Sequence, residues 1–329
     1  MRGNVILWLT AWLLIACLAS IAIGPVLLPP AGLARLLGEH GDPAIATILF
    51  DIRLPRTLAA AIAGAALGIS GAAMQGLLRN PLAEPGVMGV SASAATAATA
   101  VIYFGIAPLA AWAVPIASLG GALMATAFLT LAGLRTRGIA TLILIGIALS
   151  AFAGALMALF VNLAPNPFSL SDLINWTAGS VANRDTDDIA IALPFILAGC
   201  ALLLSVQRPL GLLVLGEESA HALGVDLMRV RTVVVLGTGL ATGGAVALAG
   251  MIGFVGLVAP HMVRAFVGHD AGRTLLPAAL AGALLLVVGD IIIRVWPWGN
   301  ELHLGTLAAL VGAPLFLLIA LKHGTIRHG

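Results

Sequence analysis

The sequence predicts an all-α, polytopic membrane protein of ten transmembrane helices, and three observations predict it. Hydrophobic residues make up 60% of the 329 and charged residues only 9%, with a mean hydropathy of +1.10; a soluble globular chain carries about 25% charged residues. The apolar runs are long and unbroken, close to the roughly 20 residues a spanning helix needs, and lack the short apolar–polar alternation of barrel strands. The few charges stand at the borders of those runs. The chain, 1–329, therefore reads as a single transmembrane domain.

Charges delimit each element in turn. Arg2 and Arg35 enclose a first span over about 5–28. Its "LIAC" (Leu14–Cys17) resembles a lipoprotein cleavage box, but the apolar run continues to Leu28, so an uncleaved helix is expected. Arg56 and Arg79 enclose the second, about 57–78. Glu84 to Arg135 is too long for one helix and is expected to hold two, broken near Gly105–Pro108. Arg137 to Asp172 holds the fifth and Asp188 to Arg208 the sixth. The run after Arg231 reads either as one long helix or as two broken near Gly250–Gly256. Arg273–Arg294 and Glu301–Lys322 hold the last two.

Parity chooses between the alternatives for the ambiguous run. Both ends carry basic residues, Arg2 at one and Lys322 and Arg327 at the other, and basic residues favour the cytoplasmic side. Two cytoplasmic termini require an even count, hence ten. On that topology only Arg35, Arg53, Arg56, Arg184 and Arg294 lie outside, and the other 11 of the 16 Lys and Arg lie inside. A net charge of +2 is too small to imply a nucleic-acid partner. Cys17 and Cys200 both fall in apolar runs, which argues against a disulfide framework.

"GAALG" (Gly64–Gly68) and "GLATG" (Gly239–Gly243) are small-xxx-small patterns, which let helix backbones approach closely in lipid. A faint repeat pairs Gly64, Gly71, Pro81 and Gly89 with Gly243, Gly250, Pro260 and Gly268, at a constant offset of 179. Helices 2–5 would then match helices 7–10 in opposite orientation, as in inverted-repeat transporters; the competing reading is coincidence in a chain with 39 glycines.

Energy supply is constrained by what is missing. The only lysine is Lys322, followed by His323, so there is no Gly-Lys-Ser/Thr phosphate loop. Ion-coupled transporters carry acids or histidines inside their spans. Here Asp290 is the best candidate, and Arg294 one turn on reads as its structural partner. A partner is therefore expected to bring the energy, and the loop Arg208–Arg231 is the candidate docking site, a solvated loop being the plain alternative. Glu217 and Glu218 suit the first turn of a short helix, and Gly224 its C-terminal cap.

Four stretches now carry a resemblance: Arg53–Ser91, containing "LLRNPLAEPGVMG"; Gly216–Val225, "GEESAHALGV"; Gly250–Arg264, "GMIGFVGLVAPHMVR"; and Gly289–Arg294, "GDIIIR". The chain resembles the permease subunits of binding-protein-dependent type II ABC importers for iron chelates and cobalamin. The resemblance implies a homodimer in the bacterial inner membrane, two ATP-binding cassette subunits holding ATP and Mg, and a periplasmic substrate-binding protein. It implies no catalytic residue and no cofactor bound by this chain. By the same resemblance Glu217, Glu218, Ser219, His221, Leu223 and Gly224 contact the ATPase. Arg53, Arg56 and Arg294 receive acidic residues of the binding protein, unless Arg53 and Arg56 merely anchor a helix end. Asn80, Pro81 and Leu82 form a cytoplasmic gate beside the dimer axis. His303 stands where the family has proline; it reads as an interfacial histidine or as a contact for an iron chelate. His261 belongs to a family pattern and reads as structural.

The expected activity is alternating-access import of an iron chelate, haem before ferric siderophore before cobalamin. The rival is an ion-coupled transporter using Asp290. A membrane metalloenzyme is remote, since the seven histidines show no ligand spacing.

Overall fold

The computed structural model describes residues 2–24, 26, 43–135, 139–268, 270–295 and 302–325, and their regular structure is helical. Arg35, Arg137, Glu301 and Arg327, used above as borders, lie outside the described residues.

Helix α1 (Arg2–Ala22) runs unbroken through Leu14–Cys17. Helix α2 is continuous over Pro43–Leu78, 36 residues, and so begins well before the span expected from residue 57. Its first part widens into a π-helical stretch, Thr47–Arg53, ahead of α-helical Leu54–Leu78. Pro55 accounts for the change, because proline lacks an N–H and its ring crowds the carbonyl one turn back, which the wider winding relieves. Then follow α3 (Val90–Tyr103), α4 (Ala113–Arg135), α5 (Ile139–Asn162), α6 (Pro167–Thr177) and α7 (Thr186–Ser205). Short α8 (Gln207–Leu212) and α9 (Glu217–Ala222) lead into α10 (Leu227–Ala249), α11 (Val255–Val267), α12 (Ala271–Arg294) and α13 (Leu304–Thr325).

Among the described residues seven helices, α1, α2, α4, α5, α7, α10 and α12, are long and apolar enough to cross a membrane. Helices α3 and α11 and the Leu304–Leu317 part of α13 are shorter apolar helices. Both expected breaks are present, between α3 and α4 and between α10 and α11. Helix α6 was not anticipated. Asn166 caps it by accepting the Ser169 N–H (2.9 Å), and Pro167 occupies its first turn.

The interior is built on α2, α10 and α12. Helix α2 packs most extensively on α12, and α10 on α7, α4 and α2. The small-residue patterns lie at these crossings. A side chain added at Gly64 would strike the Gly282 carbonyl, and one at Gly282 the Gly64 carbonyl. Gly239 and Gly243 abut the side chains of Thr126 and Ala122 of α4. Such close backbone approach replaces the hydrophobic drive that lipid removes. Peripheral α1 and α5 expose Leu7, Trp8, Trp12, Leu144 and Phe152, a surface suited to acyl chains. At the offset of 179, Gly64 and Gly243 are both interior to long helices and Gly89 and Gly268 both have positive φ (76° and 81°), whereas Gly71 is interior to α2 while Gly250 caps α10, and Pro81 is in a turn while Pro260 is inside α11.

Candidate functional site

Helix α2 ends with Arg79 in the left-handed region (φ 48°), a position glycine usually fills. Asn80 closes the turn that follows. Its N–H bonds the Gln75 carbonyl (3.2 Å), its Oδ1 accepts the Leu82 N–H (3.0 Å), and its carbonyl accepts the Ala83 N–H (3.1 Å). The chain then climbs back beside α2. Gly256 packs between Pro85 and α2, where it meets Gly71, seven residues before Leu78, or about 10 Å along the helix. Segment 79–89, irregular except for a 3-10 turn over Pro85–Met88, thus returns to membrane depth, tolerable where protein covers it.

A second break meets it there. Helix α10 stops at Ala249 with Gly250 at φ 69°, and α11 starts after Phe254 at φ 67°. Three side chains join the two breaks. The Glu84 carboxylate accepts the Phe254 N–H across 170 residues of sequence. Pro260 has no N–H to give the Gly256 carbonyl one turn back, and Gln75 Nε2 donates to it instead (3.3 Å) and to the Ala83 carbonyl (3.2 Å). Gln75 Oε1 in turn accepts from Arg264 Nη2 (2.6 Å). Gln75 is 2% exposed, so its amide is held by protein alone. This network explains the Pro260–His261 pattern in physical terms: the proline frees an acceptor that the neighbouring helix uses.

Beneath the network, Gln75, Arg79, Pro81, Val214, His261 and Arg264 line a cavity of about 640 Å3. Pro81 and Leu82 are half-buried and Asn80 is exposed. The loop between α7 and α10 closes the same end. Leu210, Leu213, Ala220 and Val225 anchor it in the core, while Glu218, Ser219, His221, Leu223 and Gly224 face outward. Val214, Leu215 and Leu223 are large apolar side chains left exposed on this loop, a surface of the kind that marks a protein contact. Glu217 is half-buried and pairs with Arg231 (2.8 Å) and Arg79 (3.8 Å), and so ties the loop to the turn that ends α2.

At the opposite end, Asp290 (side chain 2% exposed) lies between Arg56 Nε (2.9 Å) and Arg294 Nη2 (3.0 Å). Arg294 also donates to the Ser20 carbonyl (2.7 Å) and to Ser20 Oγ, and Ser20 Oγ meets Thr57 Oγ1 at 2.7 Å. Arg53 caps the end of α1 through the Ile21 and Ala22 carbonyls (2.9 and 2.8 Å). The three arginines expected to face a partner are therefore largely consumed within the chain: Arg53 and Arg294 are 4% and 8% exposed. Helix ends leave carbonyls unpaired, and guanidiniums carry enough donors to satisfy several, so these side chains stitch α1 to α2 and α12.

His303 precedes α13 and lines a cavity at this end with Trp176 and Arg184. Among the described residues no group of three or more His, Cys, Asp or Glu gathers as a metal site would. Sequence reading missed Gln75 and Phe254 altogether. A lone amide in the otherwise apolar stretch Gly71–Leu78 at the end of α2 was the available signal for Gln75; nothing local marked Phe254.

Residues 12–322 match the FecCD transport family. The chain is 38% identical over 327 residues to the vitamin B12 import system permease protein BtuC of Salmonella paratyphi A, covering 98% of this chain and 96% of that one. It is 35% identical over 325 residues to the uncharacterized ABC transporter permease protein YvrB of Bacillus subtilis, covering 95% and 92%. A solved structure of a metal-chelate type ABC transporter in an inward-facing conformation superposes with a TM-score of 0.86 at 31% identity, covering 97% of this chain and 99% of that one. The family match over residues 12–322 and the 38% identity to a relative covered along 96% of its length show that the chain belongs to the FecCD transport family.

Proposed function

We propose that the chain is the membrane permease of a type II, binding-protein-dependent ABC importer, working as a homodimer with two ATPase subunits and an external binding protein. It is a transport subunit rather than an enzyme, and ATP hydrolysis belongs to the separate subunit. Ten crossings, the seven long helices plus α3, α11 and α13, would place both termini and the α7–α10 loop in the cytoplasm of a bacterial inner membrane. The cargo is a large metal chelate. The likeness to vitamin B12 permeases supports a corrinoid, and haem or a ferric siderophore belongs to the same class.

The observation that carries the mechanism is Glu217, which holds Arg231 and Arg79 at once. ATPase closure pushes the exposed face of α9, with Glu218, Ser219, His221, Leu223 and Gly224 in contact. The Glu217–Arg79 link passes that motion to the Asn80–Leu82 turn, which serves as the cytoplasmic gate. Gln75, Glu84 and Arg264 make the two helix breaks move as one piece. Of the outer arginines Arg56 keeps a side chain 12% exposed, so docking of an acidic residue of the binding protein rests on Arg56, with Arg53 and Arg294 holding that surface in place.

Ion coupling through Asp290 fits the geometry poorly, because a coupling ion would have to displace two guanidiniums. Uptake in sealed vesicles containing the assembled importer and ATP, with no ion gradient, tests the choice. ATP-dependent accumulation is expected; accumulation that needs a gradient and ignores ATP would overturn the proposal.

A further inference from the structure

The cavity beneath the polar network is cationic. Arg79, His261 and Arg264 line it with Pro81, Val214 and Ala265, and its described lining holds no carboxylate. Its volume of about 640 Å3 lies within the roughly 300–1,000 Å3 of ligand sites. Arg264 carries the argument. Its side chain is half-buried on α11, and its Nη2 donates to Gln75, a neutral amide. Its Nε and Nη1 keep accessible surface, unlike the closed-off nitrogens of Trp176 and Arg184. Among the described residues no carboxylate lies within ion-pair distance of Arg264. The acids that border the cavity are engaged by other cations. Glu217 pairs with Arg231 (2.8 Å) and, at longer range, with Arg79 (3.8 Å), and Asp270, next to the lining Ala271, pairs with Arg273 (3.1 Å).

A charge withdrawn from water is costly unless it is paired, so Arg264 calls for a counter-ion that the chain does not supply. A guanidinium has five N–H donors, and the bond to Gln75 leaves several for the oxygens of an anion. Two features select a phospholipid over a soluble anion. The cavity lies between helices of a membrane protein, where basic pockets receive anionic headgroups. Helix α11 also presents Met262 (45% exposed) and Phe266 (69% exposed) on the face adjoining that of His261, Arg264 and Ala265, an apolar strip for acyl chains beside the cations.

We infer that this cavity is a phospholipid site, in which Arg264 and Arg79 hold the phosphate of an anionic headgroup and the acyl chains run along Met262 and Phe266. The lipid phosphate thereby joins the network of the two helix breaks, through Arg264, to the turn after α2, through Arg79. The binding claim is independent of cargo and of ATP. Delipidated full-length permease in detergent tests it, titrated with phosphatidylglycerol or phosphatidylcholine of identical acyl chains and followed by native mass spectrometry. Phosphatidylglycerol should bind about ten-fold more tightly than phosphatidylcholine, whose choline cation the lining repels. Arg264→Gln should weaken phosphatidylglycerol by about five-fold, the worth of one basic side chain near an anionic lipid, and leave phosphatidylcholine unchanged. Arg264→Lys keeps the charge and should keep the preference. Ala265→Glu puts a carboxylate into the lining without removing Arg264, and should abolish the preference at an unaltered melting temperature; Ala265→Gln should not. Equal binding of the two lipids by the unaltered chain, or a preference that survives both Arg264→Gln and Ala265→Glu, would overturn the site. Displacement of phosphatidylglycerol by an equal concentration of inorganic phosphate would assign the cavity to a free anion and overturn the lipid. So would loss of the lipid on assembly with the ATPase subunits, combined with their release by Arg264→Gln, since the counter-ion of Arg264 would then belong to that partner.

Discussion

Replacing Asp290 with asparagine tests the arginine clamp. The substitution keeps the shape of the side chain and removes its charge. Arg56 and Arg294, now 2.9 and 3.0 Å from a carboxylate, would face a neutral amide. Arg53 stands close enough to Arg294 to act on it electrostatically, so excess positive charge remains with no acid to offset it. Removing one partner of a buried ion pair costs about 3–5 kcal/mol, a large share of the roughly 5–15 kcal/mol that holds a typical domain folded. The folded-to-unfolded ratio should fall by between two and four orders of magnitude, at about 1.4 kcal/mol per decade. Intrinsic tryptophan fluorescence during heating, with gel filtration of detergent-solubilised protein, reads this directly. The double variant Asp290→Leu/Arg294→Met removes one charge of each sign and should recover part of the loss. The molecules that remain folded should still import cargo with ATP. An unchanged melting curve for Asp290→Asn would refute the clamp, and intact stability with lost transport would return Asp290 to an ion-coupling role.

Glu84→Gln should lower thermal stability by about 1–3 kcal/mol, since a carboxylate bond to the Phe254 N–H becomes a neutral one; hydrogen exchange at 250–256 should accelerate, and unchanged protection there would count against the pin. Gly282→Val should prevent folding because its side chain meets the Gly64 carbonyl of α2; a normally expressed, monodisperse variant would show that the α2–α12 crossing is looser than described. Leu223→Asp should release the ATPase from the permease during co-purification, and an intact, fully active complex would remove α9 from the contact. Asn80→Cys should crosslink between two copies in at least one nucleotide state; absence of crosslinks in every state would take the turn away from the dimer axis.

Much of the architecture was legible in the chain because lipid enforces it. Long apolar runs have no alternative to helices; the pattern at Gly64–Gly68 stands where two backbones touch, and that at Gly239–Gly243 where α10 closes on the Thr126 and Ala122 side chains. The early start of α2 was hidden by Arg53 and Arg56, which look like a membrane border. Their charges are instead absorbed by the end of α1 and by Asp290, contacts that only the fold brings together. Helix α6 was hidden by the border at Asp172, when the real break is made by Asn166 and Pro167. Within the candidate site the exposed face of α9 could be read from GEESAHALGV, but the pairing of Glu217 with Arg231 and Arg79 could not. Nor could the Glu84–Phe254 bond, whose partners are 170 residues apart.

The most direct test of coupling is the number of cargo molecules imported per ATP hydrolysed by the assembled importer carrying Glu217→Ala. The exposed contact face of α9 is untouched by that change, so the complex should assemble and hydrolyse ATP. Loss of the link to Arg79 and Arg231 should lower the transport yield per ATP by about five-fold, the equivalent of the roughly 1 kcal/mol that half-exposed ion pairs supply. A yield equal to that of the unaltered importer would show that the loop does not drive the turn through Glu217.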